Sequence, residues 1–125
     1  MRRVLLALLR VAIGLVFIGA GVRKLADRAT SNANFDHWGV PAPTTMVVLI
    51  SVLEIVCGLL VLLGLATRLG ALILCIDMLG AVATAGRIDG GFHLVVPPVL
   101  ALLCLVLVAR GGGRWQLLDR IDPPR

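Results

Sequence analysis

The chain has 125 residues, of which 59% are hydrophobic and 15% are charged, whereas soluble domains average ~45–50% and ~25%. The apolar residues are concentrated in four blocks, and the longest polar stretch, residues 23–43, is too short for a separate soluble domain. The net charge of +5 comes mostly from basic residues at the ends of these blocks, where positive charge sets membrane orientation. This distribution argues against a nucleic-acid-binding protein and predicts one membrane domain covering residues 1–125.

Residues 4–22 form the first apolar block and predict a transmembrane helix. A cleaved signal peptide is the alternative, because two arginines precede the block and small residues end it. The block is longer than the ~7–15 residues of a signal-peptide core, Arg10 interrupts it, and no Ala-x-Ala site follows, so an uncleaved helix is favoured. Arg10 is expected either to extend to the inner membrane interface or to pair with a buried acid.

Residues 23–43 are predicted to form the outer loop. The first residues of this segment can continue the preceding helix into the headgroup region. Phe35 and Trp38 lie three residues apart, which places them on one side of a short interfacial helix. A proline at position 43 is expected to begin the next helix.

Residues 44–66 and 69–85 predict a helical hairpin. Each arm is about 18–22 residues long, enough at ~1.5 Å per residue to cross a ~30 Å hydrocarbon core. Because the connection between them is so short, the two helices must be antiparallel neighbours. Residues 92–109 predict a fourth helix with two prolines in its first turns, and residues 110–125 predict a cytoplasmic tail.

These elements predict an all-α fold, a polytopic membrane four-helix bundle with its N- and C-termini in the cytoplasm. With four helices, both termini share a side with the turn at residues 67–68, and basic residues accumulate on the cytoplasmic side. That side carries Arg2, Arg3, Arg10, Arg68, Arg110, Arg114, Arg120 and Arg125, and the opposite side carries Arg23, Lys24, Arg28 and Arg87. The chain is therefore expected to be a multi-pass protein of the cytoplasmic membrane.

Each arm of the hairpin carries one acid near the middle of the membrane, Glu54 in the first and Asp77 in the second. Counted from the turn, their depths differ by about 4–5 Å. An ionisable group at that depth is costly and must face a partner, a cavity or another helix. If the two acids face each other they cannot both stay charged, and a shared proton would suit a proton relay or a quinol site. The alternative is that each acid simply holds helices together.

Three cysteines, Cys57, Cys75 and Cys104, fall at similar depths in the predicted cytoplasmic half. They form no Cys-x-x-Cys motif, and a free cysteine in a helix is usually a small hydrophobic residue. Cys57 lies one turn after Glu54 on the same helix face, which makes it a candidate cofactor-binding residue.

Arg23, Lys24 and His93 are expected at the outer mouth of the bundle, together with Asp36, His37 and Asp89. Lys24 can reach back along the membrane, and His93 opens the fourth helix. The group could bind a quinone carbonyl, an anion or a proton, and the alternative is a solvated rim that sets topology. The spacing of the histidines and acids does not support a metal site, and none is predicted.

The order and spacing of these residues resemble the DoxX family of small four-helix bacterial membrane proteins, over roughly residues 10–85. The resemblance is carried by Arg10 with Gly14, Phe17 followed by Gly21-x-x-Lys24, Trp38-Gly39-Val40-Pro41, residues 54–64 beginning Glu54-Ile55-Val56-Cys57-Gly58, and Thr67-Arg68. Cys57 departs from the pattern, because many members have a second glycine there. The resemblance implies a bundle in the cytoplasmic membrane with Lys24 and Glu54 as its polar positions.

The wider family includes subunits associated with thiosulfate–quinone oxidoreductase and with membrane complexes that handle thiol or oxidative stress. The function expected from this resemblance is an accessory subunit of a quinone- or thiol-linked membrane redox system, with soluble or membrane redox proteins as partners. The candidate catalytic residues are Glu54, Lys24 and Asp77, and the candidate cofactor is a quinone that is not bound covalently.

Two other functions stay open, a small proton-coupled transporter that would have to oligomerise, and a structural or assembly protein. The sequence carries no cofactor motif for electron transfer, which favours a non-catalytic subunit over an enzyme. An enzyme of this kind would be a quinone-linked oxidoreductase.

Overall fold

The structure is a computed structural model that describes the backbone of residues 2–110 and, apart from residues 2 and 92–94, their side chains. These residues form helices and no strand, so the all-α prediction is confirmed. The elements are α1 (Arg2–Ala26), α2 (Arg28–His37), α3 (Pro43–Leu63), α4 (Thr67–Ala81), a π-helical segment (Val82–Gly86), α5 (Arg87–Asp89) and α6 (Phe92–Arg110). Residues 111–125, which hold most of the predicted tail, lie outside the described residues, and the cytoplasmic position of the termini stays a prediction.

Several helices have the length and composition of membrane spans. Three are long and apolar enough to cross a membrane, namely Arg3–Ala26, Pro43–Leu63 and Thr67–Asp89, and a shorter apolar helix covers Val95–Arg110. Large apolar side chains on their outward faces are exposed, among them Leu15, Val52 and Leu102. An apolar outer surface of this kind suits helices surrounded by lipid. The chain is a polytopic membrane protein.

The polar segment after the first apolar block contains more helix than loop. α1 continues to Ala26, past the predicted end at residue 22, and α2 follows almost directly. Asp27 begins α2, because its side chain accepts a hydrogen bond from the backbone N–H of Thr30 at 3.3 Å, which is the usual role of an N-cap aspartate. Phe35 is buried, and its ring centroid lies 5.8 Å from that of Trp38.

The hairpin between α3 and α4 turns more tightly than the predicted bounds of 44–66 and 69–85. α3 begins at Pro43 and gives way to Gly64, whose φ of 74° lies in the left-handed region that often closes a helix. Ala66 also has a positive φ, 49°, and α4 begins at the next residue, Thr67. Two left-handed residues in three let the chain reverse at once, so α3 and α4 are adjacent.

Glycines set the distance between α1 and α3, which pack antiparallel. A Cβ atom on Gly14 would lie 2.8 Å from the carbonyl oxygen of Gly58, and one on Gly21 would lie 2.6 Å from that of Ser51. Residue numbers therefore rise along α1 as they fall along α3. Close approach through small residues is how helices associate in lipid, where no hydrophobic effect drives them together.

The core is shared by α1, α3, α4 and α6. Ile13 and Phe17 of α1 join Cys57 and Val61 of α3 in one buried apolar cluster. α4 packs most extensively on α6. Both helices add buried residues to the same cluster, α4 through Ala71, Leu74, Cys75 and Met78 and α6 through Ala101, Cys104 and Leu107. Within the described residues, the four helices thus share one apolar cluster.

Arg10 caps one end of α3. It is 2% exposed, and its guanidinium donates to the carbonyl oxygens of Val61, at 3.2 Å, and Leu62. The last four carbonyl groups of a helix have no hydrogen-bond donor within that helix. A buried cation that donates to them therefore stabilises the end of the helix. Arg10 therefore lies inside the bundle and does not extend to the membrane surface.

Candidate functional site

A buried ion pair joins α1 to α3. The ammonium nitrogen of Lys24 donates to Oε1 of Glu54 at 2.5 Å, and the Glu54 side chain is 2% exposed whereas that of Lys24 is 27% exposed. Glu54 is thus held inside the bundle. Lys24, which is partly exposed, lies between Glu54 and the protein surface at the end of the bundle that carries α2. A charge-assisted hydrogen bond of this length is among the stronger polar contacts in proteins.

Lys24 reaches Glu54 because of where α1 ends and how its side chains point. α1 continues to Ala26, so Lys24 is still helical, and side chains on a helix lean toward its N-terminus. For Lys24 that direction leads back into the bundle. Gly21, three residues earlier, lets the α1 backbone approach α3 at Ser51, which brings the ammonium group within reach of the carboxylate.

Asp77 of α4 is the third member of this group. Its side chain interacts electrostatically with those of Glu54 and Lys24, and Glu54 is its hydrogen-bonding neighbour. Its Oδ2 atom is buried without a hydrogen-bond partner. The acids of the two hairpin arms therefore do face each other, which helix rotation had left open in the sequence. We call Lys24, Glu54 and Asp77 the polar cluster.

Ser51 borders the polar cluster and was missed by reasoning from the sequence. It lies one turn before Glu54 on α3, is fully buried, and its Oγ atom has no hydrogen-bond partner. The available signal was its spacing of three residues from Glu54, which places both side chains on one helix face. An unpartnered buried hydroxyl costs about 1–3 kcal/mol, so this position is expensive in a membrane helix.

The other candidate residues are distributed differently. Cys57 is buried in the apolar core one turn past Glu54 and interacts electrostatically with Asp77. Arg23 is exposed, so it does not share the buried environment of Glu54. The side chain of His93 lies outside the described residues. Among the described residues, no group of three histidine, cysteine or acidic side chains is arranged to hold a metal ion.

A second polar contact closes the end of the bundle that carries Lys24. Asp89 accepts a hydrogen bond at Oδ2 from the indole nitrogen of Trp38, at 2.6 Å, and its Oδ1 lies 3.0 Å from Nε2 of His37. Both partners lie at the end of α2, so this carboxylate ties α2 to α5. Ser31 of α2 also donates to the carbonyl oxygen of Lys24 at 3.3 Å. These hydrogen bonds therefore hold α2 against the end of the bundle at which Lys24 lies.

A family model described as DoxX matches residues 5–87. The chain belongs to the DoxX family. The matched region contains all three residues of the polar cluster, together with Ser51 and Arg10, whereas α6 lies beyond it. Lys24 is the single lysine of the sequence and Glu54 its single glutamate, and the two form this ion pair with each other.

Two relatives match most of the chain. "Uncharacterized membrane protein Rv3486" of Mycobacterium tuberculosis (strain ATCC 25618 / H37Rv) is 38% identical over 129 residues, which covers 91% of this chain and 79% of that protein. "Putative oxidoreductase CatD" of Bacillus subtilis (strain 168) is 30% identical over 112 residues, which covers 90% of this chain and 82% of that protein. No solved structure matches the chain.

Proposed function

We propose that this DoxX-family protein is an accessory subunit of a membrane redox system, in which the polar cluster handles protons beside a quinone. The observation that carries the proposal is the ion pair of Lys24 and Glu54, at 2.5 Å with the carboxylate buried. Ionisable residues inside membrane segments are costly, face the bundle interior, and typically mark proton or substrate pathways. The name of the Bacillus subtilis relative, "Putative oxidoreductase CatD", supports a redox context.

The residues around the ion pair suit a quinone carbonyl. Ser51 has a buried hydroxyl without a partner, and the Lys24 ammonium carries three N–H donors of which Glu54 uses one. Both would donate to the carbonyl oxygen. A bound quinone supplies two-electron, two-proton redox chemistry, and the polar cluster would take up and release the accompanying protons.

An accessory role is favoured over an enzyme because the sequence carries no motif for a cofactor that transfers electrons. In this proposal the electrons are handled by partner redox proteins, and this chain contributes the proton-handling site within the membrane. Arg23 is exposed at the same end as Lys24 and would help receive an anionic or soluble partner there.

A small proton-coupled transporter is the second candidate. It is favoured by the facing acids, Glu54 on α3 and Asp77 on α4, because paired mid-membrane carboxyl groups that exchange a proton are typical of pumps and transporters. A structural or assembly protein is the third, in which the polar cluster only holds the helices together.

The test compares wild-type protein with Glu54→Gln and with Asp36→Asn, an exposed acid outside the cluster that serves as the matched control. Each protein is purified from gently solubilised membranes, and quinone is extracted and quantified per mole of protein beside the co-purifying redox proteins. We expect quinone and redox partners with wild type and Asp36→Asn, and at least a tenfold loss with equal amounts of Glu54→Gln.

Three outcomes contradict the proposal in different ways. If Glu54→Gln retains quinone and redox partners, the ion pair has no role in binding either of them, and the proposed redox function of the polar cluster is wrong. A partnerless protein without quinone in every sample leaves the transporter and the assembly protein. Disappearance of Glu54→Gln alone from the membrane favours the assembly protein.

A further inference from the structure

The polar cluster holds two acids and one ammonium group, so its charges cannot all be compensated by ion pairing. The ammonium group of Lys24 is the positive charge of the cluster, and it contacts Oε1 of Glu54. At the opposite end of α3, the buried guanidinium of Arg10 is engaged by the carbonyls of Val61 and Leu62. If both acids were ionised, the cluster would carry a net negative charge within an apolar core, at a cost of several kcal/mol.

The contact between the acids also requires a proton. Ionised carboxylates are acceptors only, so two of them cannot hydrogen-bond to each other. Asp77 and Glu54 interact directly with each other inside the bundle, so a hydrogen bond between them needs a proton on one of the two. The geometry around each acid decides which one carries that proton.

Glu54 is the acid that the ammonium group touches, and an adjacent cation favours the ionised form of a carboxyl group. Asp77 has a buried Oδ2 atom without a hydrogen-bond partner, which suits the carbonyl oxygen of a neutral acid far better than a bare anionic oxygen. The neutral form therefore fits Asp77, and the ionised form fits Glu54.

The other titratable groups around Asp77 do not alter this assignment. Cys57 of α3 and Cys104 of α6 interact electrostatically with it, and Cys75 lies on its own helix, α4, in the same core. A thiol carries no positive charge in either of its protonation states, so none of these groups would stabilise an ionised Asp77. Lys24 also interacts electrostatically with Asp77, but its ammonium group contacts Glu54.

We propose that Asp77 carries the exchangeable proton of the polar cluster at neutral pH, while Glu54 stays ionised as the fixed partner of Lys24. The inference rests on the proposed function for its biological meaning and assigns the two acids different roles within it. Asp77 would release a proton to, or take one from, the redox chemistry at this site. Glu54 would position Lys24 and hold the proton of Asp77 in a hydrogen bond.

The chain offers a direct test because Glu54 is its single glutamate. We would record infrared spectra of the full-length protein in lipid, unlabelled, with carboxyl-¹³C glutamate, and with carboxyl-¹³C aspartate. We expect a C=O stretching band of a protonated carboxyl group at neutral pH that shifts with labelled aspartate and not with labelled glutamate. In Asp77→Asn that band should be lost.

A band that shifts with labelled glutamate, or no protonated carboxyl band, overturns the inference. The isotope comparison needs no mutation, so it stands even where Asp77→Asn does not fold. A hydrophobic carbodiimide, which attacks protonated carboxyl groups, can then be reacted with the wild-type protein, and peptide masses identify the modified residue. Modification of Asp77 supports the inference, and modification of Glu54 contradicts it.

Lys24→Met supplies a second arm. Without the ammonium group Glu54 should also become protonated, and a second band should appear that shifts with labelled glutamate. Absence of that band means that Lys24 does not decide which acid is ionised. The spectra require no redox partner, so an Asp77 band together with quinone retention by Glu54→Gln would leave this inference intact while the proposed function fails.

Discussion

Gly14 of α1 and Gly58 of α3 face each other at the helix crossing, where a Cβ on Gly14 would lie 2.8 Å from the Gly58 carbonyl oxygen and one on Gly58 would lie 3.0 Å from that of Gly14. The contact lies in the middle of the interface that also carries Arg10 with the end of α3 and Lys24 with Glu54. Both polar contacts depend on the short distance that these glycines permit.

Gly14→Ala is therefore expected to destabilise the protein by about 1–3 kcal/mol, because the added methyl group meets backbone atoms that cannot move aside. Gly19→Ala is the matched control on the same helix, since nothing lies within 4 Å of its Cβ position, and replacing a helical glycine there should be neutral or slightly stabilising. Thermal unfolding in detergent measures both. Equal midpoints for the two variants would contradict the close crossing.

Lys24→Met should destabilise the protein more than the double variant Lys24→Met/Glu54→Gln. The single change leaves the buried carboxyl group of Glu54 without its cation, so the group must take up a proton or stay charged without compensation, at a cost of about 3 kcal/mol. The double change removes the acid as well. Unfolding free energies of wild type, both single variants and the double variant form a thermodynamic cycle. Strictly additive effects would mean that the two residues do not interact.

Arg10→Met should cost about 1–3 kcal/mol, because the carbonyl oxygens of Val61 and Leu62 lose their buried donor. Arg3→Met is the control, since Arg3 lies on the same helix and is exposed. Hydrogen exchange of α3 should locate the effect at its last turn. Uniformly increased exchange along the whole bundle would argue against local capping.

Asp89→Asn should loosen α2, because the neutral amide weakens the hydrogen bonds to Trp38 and His37. The change expected is about 1 kcal/mol, or roughly fivefold more frequent opening of α2. Limited trypsin cleavage after Arg28 in the reconstituted protein measures that opening, and Asp36→Asn is the control. Unchanged cleavage in Asp89→Asn would mean that α2 is held by its other contacts, the packing on α3 and the hydrogen bond from Ser31 to Lys24.

The predicted cytoplasmic position of both termini indicates where introduced thiols should be accessible to labelling. Asn34→Cys on α2 and Arg68→Cys at the start of α4 are both exposed positions, and the three native cysteines are buried. A membrane-impermeant maleimide added to intact cells should modify the first variant, and the second only after the membrane is opened. The reverse pattern would invert the topology.

The membrane fold follows from sequence alone because hydropathy and length are local properties. Four apolar blocks, proline at the start of α3 and glycine at its end indicate where each helix begins and ends, and they do so within a few residues. The pairing of α3 with α4 also follows, since three residues between helices permit no other neighbour.

Only the tertiary structure decided which faces meet. The helices are apolar on nearly all sides, so their sequences do not indicate how each one is rotated about its axis. Glu54 could therefore have faced lipid, Asp77, Arg10 or Lys24 with the same pattern of residues. Close packing at Gly14, Gly21 and Gly58 selected one rotation, which directs Glu54 between Lys24 and Asp77 and turns Arg10 onto the carbonyls of α3.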